Sequence, residues 1–211
     1  MRKTMLVLGA LALAALAIPA AAATYTIDPA HSNIGFSIRH LMVSNVRGSF
    51  RDFNLEVVFD PEHPELGSVV ATVVAASIDT GEKQRDGHLR SPDFLDVERF
   101  PVLTFRSTAV EARGGDAFAL TGDLTMHGVT RPVVFDAEYM GEAANPQGGR
   151  SAGLSARGRI NRHEWGLAWN VGLEAGGLMV GDEISVEVEI ELAQAAPAEA
   201  ATPVLAGTGA A

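Results

Sequence analysis

Ile184-Ser185-Val186-Glu187-Val188-Glu189-Ile190-Glu191-Leu192 alternates apolar and polar side chains without a break. Successive side chains of an extended chain point to opposite faces. The run therefore reads as a strand with one face in a core and a row of carboxylates in water. The same period recurs outward from it. Val133, Phe135, Ala137 and Tyr139 alternate with Val134, Asp136 and Glu138, while Phe118, Leu120, Leu124 and Met126 share one parity with Gly122 between them. Leu55, Val57 and Phe59 alternate with Glu56 and Asp60, and Ile34, Phe36 and Ile38 with Asn33, Ser37 and Arg39. Two further strands fit Val102 to Phe105 and Gly153 to Ile160. Val69 to Ile78 is apolar on both parities, which predicts a strand covered on both faces.

Turn signals separate these runs: Asp60-Pro61, Gly114-Gly115 and Asn145-Pro146-Gln147-Gly148-Gly149. Glu82 to Arg90 is the one convincing short helix. About eight antiparallel strands in one domain predict an all-β barrel or sandwich, and a closed barrel of that size can hold side chains or one ligand. An outer-membrane barrel shows the same alternation with its apolar face toward lipid. Two Trp and two Tyr are few for aromatic girdles, the chain runs on past its last strand, and the helix and long loop from Thr80 to Pro101 suit a barrel in water. The protein is expected not to be membrane-integral.

Composition narrows the chemistry. The 211 residues carry a net charge of −10, with 20% charged and 47% hydrophobic residues, enough apolar matter for a core. The acidic balance, with no block of Lys or Arg, argues against a nucleic-acid partner. It also predicts an exterior that stays soluble and keeps off anionic membranes. The absence of cysteine excludes disulfides, thiolate metal sites and cysteine nucleophiles.

The two ends differ from the body. Arg2 and Lys3 precede an apolar run from Met5 to Ile18, then Pro19 and Ala20 to Ala23. That order is a secretory signal peptide over residues 1–23, and its apolar run is shorter than the roughly 20 residues a spanning helix needs. The mature chain is expected in a periplasm. Residues 193–211, rich in Ala, Pro, Thr and Gly, read as a disordered tail. Residues 24–192 remain as one domain.

Enzyme signatures stop short. His163-Glu164-Trp165-Gly166-Leu167 begins like a zinc-protease helix, but Leu167 replaces the second His. Gly153-Leu154-Ser155-Ala156-Arg157 begins like a nucleophile elbow, but Arg157 replaces the closing Gly. His31, His40, His63, His88, His127 and His163 lie far apart, with no two at ligand spacing on one element. Lys83, Arg85, Asp86, His88 and Arg90 form a charged cluster on the short helix. It reads either as a solvated face or as a cationic rim beside a cavity mouth, to which Arg159 and Arg162 could add.

Five segments together resemble the YceI-like family of polyisoprenoid-binding periplasmic proteins. They are Tyr25-Thr26-Ile27-Asp28-Pro29-Ala30-His31-Ser32, continuing through Phe36 and His40 to Gly48 and Phe50; Ser77-Ile78-Asp79-Thr80 with Arg85-Asp86-Gly87-His88-Leu89-Arg90-Ser91-Pro92-Asp93-Phe94 and Phe100-Pro101; Thr121-Gly122-Asp123-Leu124-Thr125-Met126-His127-Gly128-Val129-Thr130-Arg131-Pro132; Ile160-Asn161-Arg162 with Trp165-Gly166-Leu167; and Val180-Gly181-Asp182-Glu183. Leu95 stands where a second Phe is common, and Trp165 where Phe is usual.

The resemblance implies a binding protein rather than an enzyme, an antiparallel, lipocalin-like barrel whose apolar cavity holds an isoprenoid chain or another lipid, a quinone included; no cofactor is expected. Strand parity then places Phe36, Ile38, Val74, Phe105, Leu124 and Phe135 on the cavity wall, and Trp165 joins them if it points inward. Arg85, His88 and Arg162 are candidates for holding a polar head group; equally, they could pair with Asp86, Asp93 and Asp182 to fix the loop. Two rival readings stay open. One is an enzyme using a histidine with Arg162 or Asp182, the other a metal-binding or purely structural barrel. A homodimer is compatible with all of them.

Overall fold

The computed structural model describes residues 24–60, 63–146, 148–174 and 176–194. The signal-peptide reading of residues 1–23 and the tail after Gln194 lie outside the described residues. Ten strand segments run in chain order: β1 (Thr24–His40), β2 (Ser44–Phe50), β3 (Phe53–Val58), β4 (Ser68–Val74), β5 (Ile78–Asp79), β6 (Val102–Gly114), β7 (Ala117–Met126), β8 (Val129–Ala144), β9 (Arg150–Asn161) and β10 (Val180–Gln194). One helix, α1 (Lys83–Arg90), interrupts them, together with single 3-10 turns. β10 therefore runs two residues past the expected strand end at Leu192.

Every pairing is antiparallel. β2 and β3 lie along successive parts of β1, and β5 and β4 lie beside them in turn, so each pair occupies one place in the ring. Eight places result. β1 pairs with β10 from Tyr25↔Gln194 to His40↔Val180 and closes the barrel. Closure shortens the free strand edges, which remain along the outer side of β2 before Ser49 and of β5.

The inside is apolar. Ile190, Leu192, Ile160, Phe135, Leu120, Leu103, Leu55 and Val57 are buried, while Glu187, Glu189 and Glu191 take the opposite face of β10. This is the reverse of a barrel whose apolar face meets lipid. Among the described residues, no helix is long and apolar enough to cross a membrane.

Two details correct the expected wall. The doubly apolar run from Val69 to Ile78 is broken into β4, a 3-10 turn over Ala75–Ser77, and β5. Thr72 is exposed, so β4 is not covered on both faces. Val74 does not line the interior; Ala71 and Val73 do. Cross-strand partners share a face, and Leu55↔Ala71↔Phe105 and Val73↔Leu103 fix the inward phase. Val74 instead pairs with the exposed Val102 at the strand end.

Glycine lets the rings pack. The Phe105 and Phe135 rings meet edge-on at 5.6 Å, and Phe105 lies over Gly122. A Cβ on Gly122 would also fall 2.5 Å from the Arg106 carbonyl oxygen, backbone that cannot step aside. Gly122→Ala is expected to lower unfolding free energy by about 1–3 kcal/mol in a denaturant melt. Gly87→Ala, where a Cβ meets nothing within 4 Å, should raise it by up to about 1 kcal/mol through helix propensity.

Candidate functional site

A cavity of about 630 Å³ occupies the barrel, within the range of ligand sites. Its lining runs along β10 from Val180 to Ile190. At about 3.3 Å per residue and a tilt near 40°, that is roughly 25 Å of depth. The volume is thus a slender bore rather than a round pocket. Phe36, Ile38, Phe105, Leu124 and Phe135 all line it. Phe59 closes the far end with Phe118 (rings 5.7 Å apart) and Tyr139 (5.2 Å).

Polar groups enter the lining at the other end, where Glu82, Gln84, Arg85 and His88 of the α1 region join Arg39, His40 and Arg162. Glu82 is the N-cap of α1 and accepts hydrogen bonds from the Gln84 and Arg85 amides, which also holds its carboxyl below the usual range. The helix is therefore one residue shorter than expected from sequence. Arg85 donates through Nε to Thr80 Oγ1 (2.7 Å) and through Nη2 to the Thr80 carbonyl (3.0 Å). Buried Asp86 accepts from the Thr80 amide and hydroxyl (2.9 and 2.6 Å). Arg90 reaches the Ala76 and Ile78 carbonyls. His88 Nε2 contacts Asp93 at 2.8 Å, and its ring stands edge-on to Phe94 and Trp169.

Arg162 is only 1% exposed. It donates to the carbonyls of Gly181 (2.8 Å), Trp169 (3.0 Å) and Leu167, so it ties the segment after β9 to the start of β10. Its Nη2 has no hydrogen-bond partner among the described residues and faces Asp182 at 3.6 Å. Burial pushes its pKa down, against the pull of that carboxylate. The pairings with Asp93 and Asp182 open in the sequence are thus present, and Asp86 acts on Arg85 through Thr80.

Trp165 is buried but does not line the bore. The 3-10 turn Arg162–Trp165 folds toward β7 and β8, where the indole donates to the Leu124 carbonyl (3.1 Å). Trp169, four residues on, lines the mouth in its place. It sits in an irregular segment without period and gave no signal in the sequence. Val46 and Phe50 also line the bore; their alternation with Asn45, Arg47 and Ser49 was a readable signal.

The rival chemistries have their own places. His163 Nε2 lies 2.8 Å from Asp182, but His163 does not line the cavity. Asp28, His31 and Glu191 bring possible ligand atoms within 4.8 Å of one another on the wall. There the Asp28–His31 hydrogen bond (2.9 Å) raises the His31 pKa and lowers that of Asp28. The same pair shapes a bulge. Asp28 accepts from the Ala30 amide, and Ser32 exchanges hydrogen bonds with the Glu191 backbone where β1 slips against β10.

Known proteins share this arrangement. The YceI-like domain model matches residues 25–192. A UPF0312 protein of Photorhabdus laumondii is 42% identical over 174 residues, covering 82% of this chain and 90% of that protein. The crystal structure of the Campylobacter jejuni YCEI protein matches with a TM-score of 0.65 and 33% identity, covering 81% of this chain and 98% of that one. A polyisoprenoid binding domain from Saccharophagus degradans, implicated in plant cell wall breakdown, shares the fold alone. Its TM-score is 0.59 and its identity 14%, covering 82% of this chain and 99% of that one. The motifs that build the bulge, brace α1 and anchor Arg162 fall within the matched span, and the chain belongs to the YceI-like domain family.

Proposed function

We infer that the protein is an exported, periplasmic carrier that sequesters a long-chain isoprenoid lipid in the barrel, without cofactor chemistry of its own. The continuous apolar bore of about 630 Å³ is the observation that carries this reading. The binding named for the Saccharophagus degradans domain supports the ligand class. Each buried CH₂ contributes about 0.8 kcal/mol. A handful of isoprene units therefore suffices for the roughly 8 kcal/mol of a micromolar complex after association costs. The tail runs toward Phe59 and Phe118, and the polar end stays at the mouth beside Arg85 and His88. Arg162 contributes there chiefly by holding the segment that carries Trp169. A prenyl lipid or quinone enters such a site as cargo.

Mass spectrometry of organic extracts from protein purified from its native periplasm tests the reading. A prenyl lipid at stoichiometric yield is the expected result. Protein that is consistently empty, and that takes up no added prenyl alcohol, would overturn it.

A further inference from the structure

The turn joining β1 to β2 is built against its own backbone preference. Leu41 and Met42 both have positive φ (49° and 61°), a region that favours glycine or asparagine. Apolar side chains stand at both positions, and Leu41, Met42 and Val43 are all exposed, Val43 at 80%. The tip does not stand alone. The Leu41 amide donates to the Met179 carbonyl (2.8 Å), and Met179 donates back to Val171. Val171 and Leu178 are exposed as well. Met179, Val180 and His40 line the bore, so the exposed apolar residues form a collar continuous with the cavity wall.

Charge follows the same geometry. From Pro29 to Arg51 the chain contains no Asp or Glu, in a protein of net charge −10. Arg39 and Arg47 stand diagonal across the β1–β2 pairing, Arg47 on the outer face and Arg39 at the rim where hairpin and bore mouth meet. Apolar side chains at a tip, flanked by arginines whose stems can lie along lipid while their heads meet phosphates, suit the interface of an anionic bilayer. The hairpin itself is thus basic, while Glu82, Glu174 and Asp182 supply carboxylates on other segments at this end.

We propose that the Leu41–Met42–Val43 tip, with Val171, Leu178, Arg39 and Arg47, docks the barrel mouth on an anionic lipid bilayer, so that cargo passes between membrane and bore without crossing water. The inference rests on the carrier reading above, and the two are tested separately. The purified barrel is sedimented with phosphatidylglycerol vesicles and with phosphatidylcholine vesicles. Loading of geranylgeraniol is followed in vesicle-free solution by tryptophan fluorescence. The native protein should favour phosphatidylglycerol by about tenfold. Met42→Asp with Val43→Asp should weaken binding to both vesicles by about tenfold or more. Arg47→Ser, at a residue outside the bore lining, should reduce the preference for phosphatidylglycerol, and the tip and Arg47 variants should load geranylgeraniol as the native protein does. Failed loading with vesicle binding intact would sink the carrier reading and leave the docking surface standing. A native protein that stays in the supernatant with both vesicles, or tip variants that sediment like it, would overturn the docking. So would a native dimer that ignores vesicles and that the tip variants convert to monomer, since the patch would then be a contact between copies of this chain.

Discussion

Ile38→Asp combined with Leu124→Asp is expected to weaken binding of a long prenyl alcohol by more than about a hundredfold, because each carboxylate must lose water when the chain arrives, at an effective cost of several kcal/mol. Both side chains line the bore and are only half-buried. In the empty barrel the new carboxylates can stay hydrated, so the fold should survive a change that binding cannot tolerate. Glu189→Lys is the matched control. Its neighbours Val188 and Ile190 face inward, which leaves Glu189 on the outer wall, and binding should be unchanged. Titration by fluorescence, with a thermal melt of each variant, makes the comparison. Equal loss from both changes would mean that binding does not use the bore. No loss from the double variant would refute the carrier reading.

Arg162→Met should damage stability more than any head-group role would. Removing the guanidinium leaves the Leu167, Trp169 and Gly181 carbonyls without their donor and Asp182 without its cation. Breaking one side of such a buried arrangement costs about 3–5 kcal/mol. For a domain of this size that is a fall in Tm on the order of 10 °C. Arg162→Lys should not restore it, because a single ammonium cannot serve three carbonyls in fork geometry. Melts of the empty protein decide the matter. A Tm within a few degrees of native, together with selective loss of a phosphorylated prenyl ligand, would return Arg162 to the head-group site.

The residues that make the family recognisable mostly hold loops. Asp28, His31 and Ser32 build the bulge in β1; Asp86, Arg85 and Arg90 brace α1; Asn161 caps the turn that carries Arg162, accepting from the His163 amide (3.0 Å). The lining of the bore falls mostly to apolar side chains that many residues could replace. The pairing of His88 with Asp93 and of Arg162 with Asp182 was readable in the sequence, whereas the Thr80 bridge between Arg85 and Asp86 was not.

Period two, read from the chain alone, was enough for an all-β barrel or sandwich, because a strand between core and water must alternate; the family motifs pointed to the closed barrel. Phe36, Ile38, Phe105, Leu124 and Phe135 therefore occupy the wall that their parity implied. Where both parities are apolar, as from Val69 to Ile78, the pattern carries no phase, and only pairing to β3 and β6 turned Val73 inward and left Val74 at the strand end. Arg162 binds carbonyls that every residue possesses, so no side-chain letter could announce those partners. Trp165 lies in a single 3-10 turn too short to show a period, and Trp169 in an irregular segment that has none. Local alternation determined which strands form and which face is apolar; closure of the chain on itself decided which loops meet at the mouth, because those contacts join residues far apart in sequence.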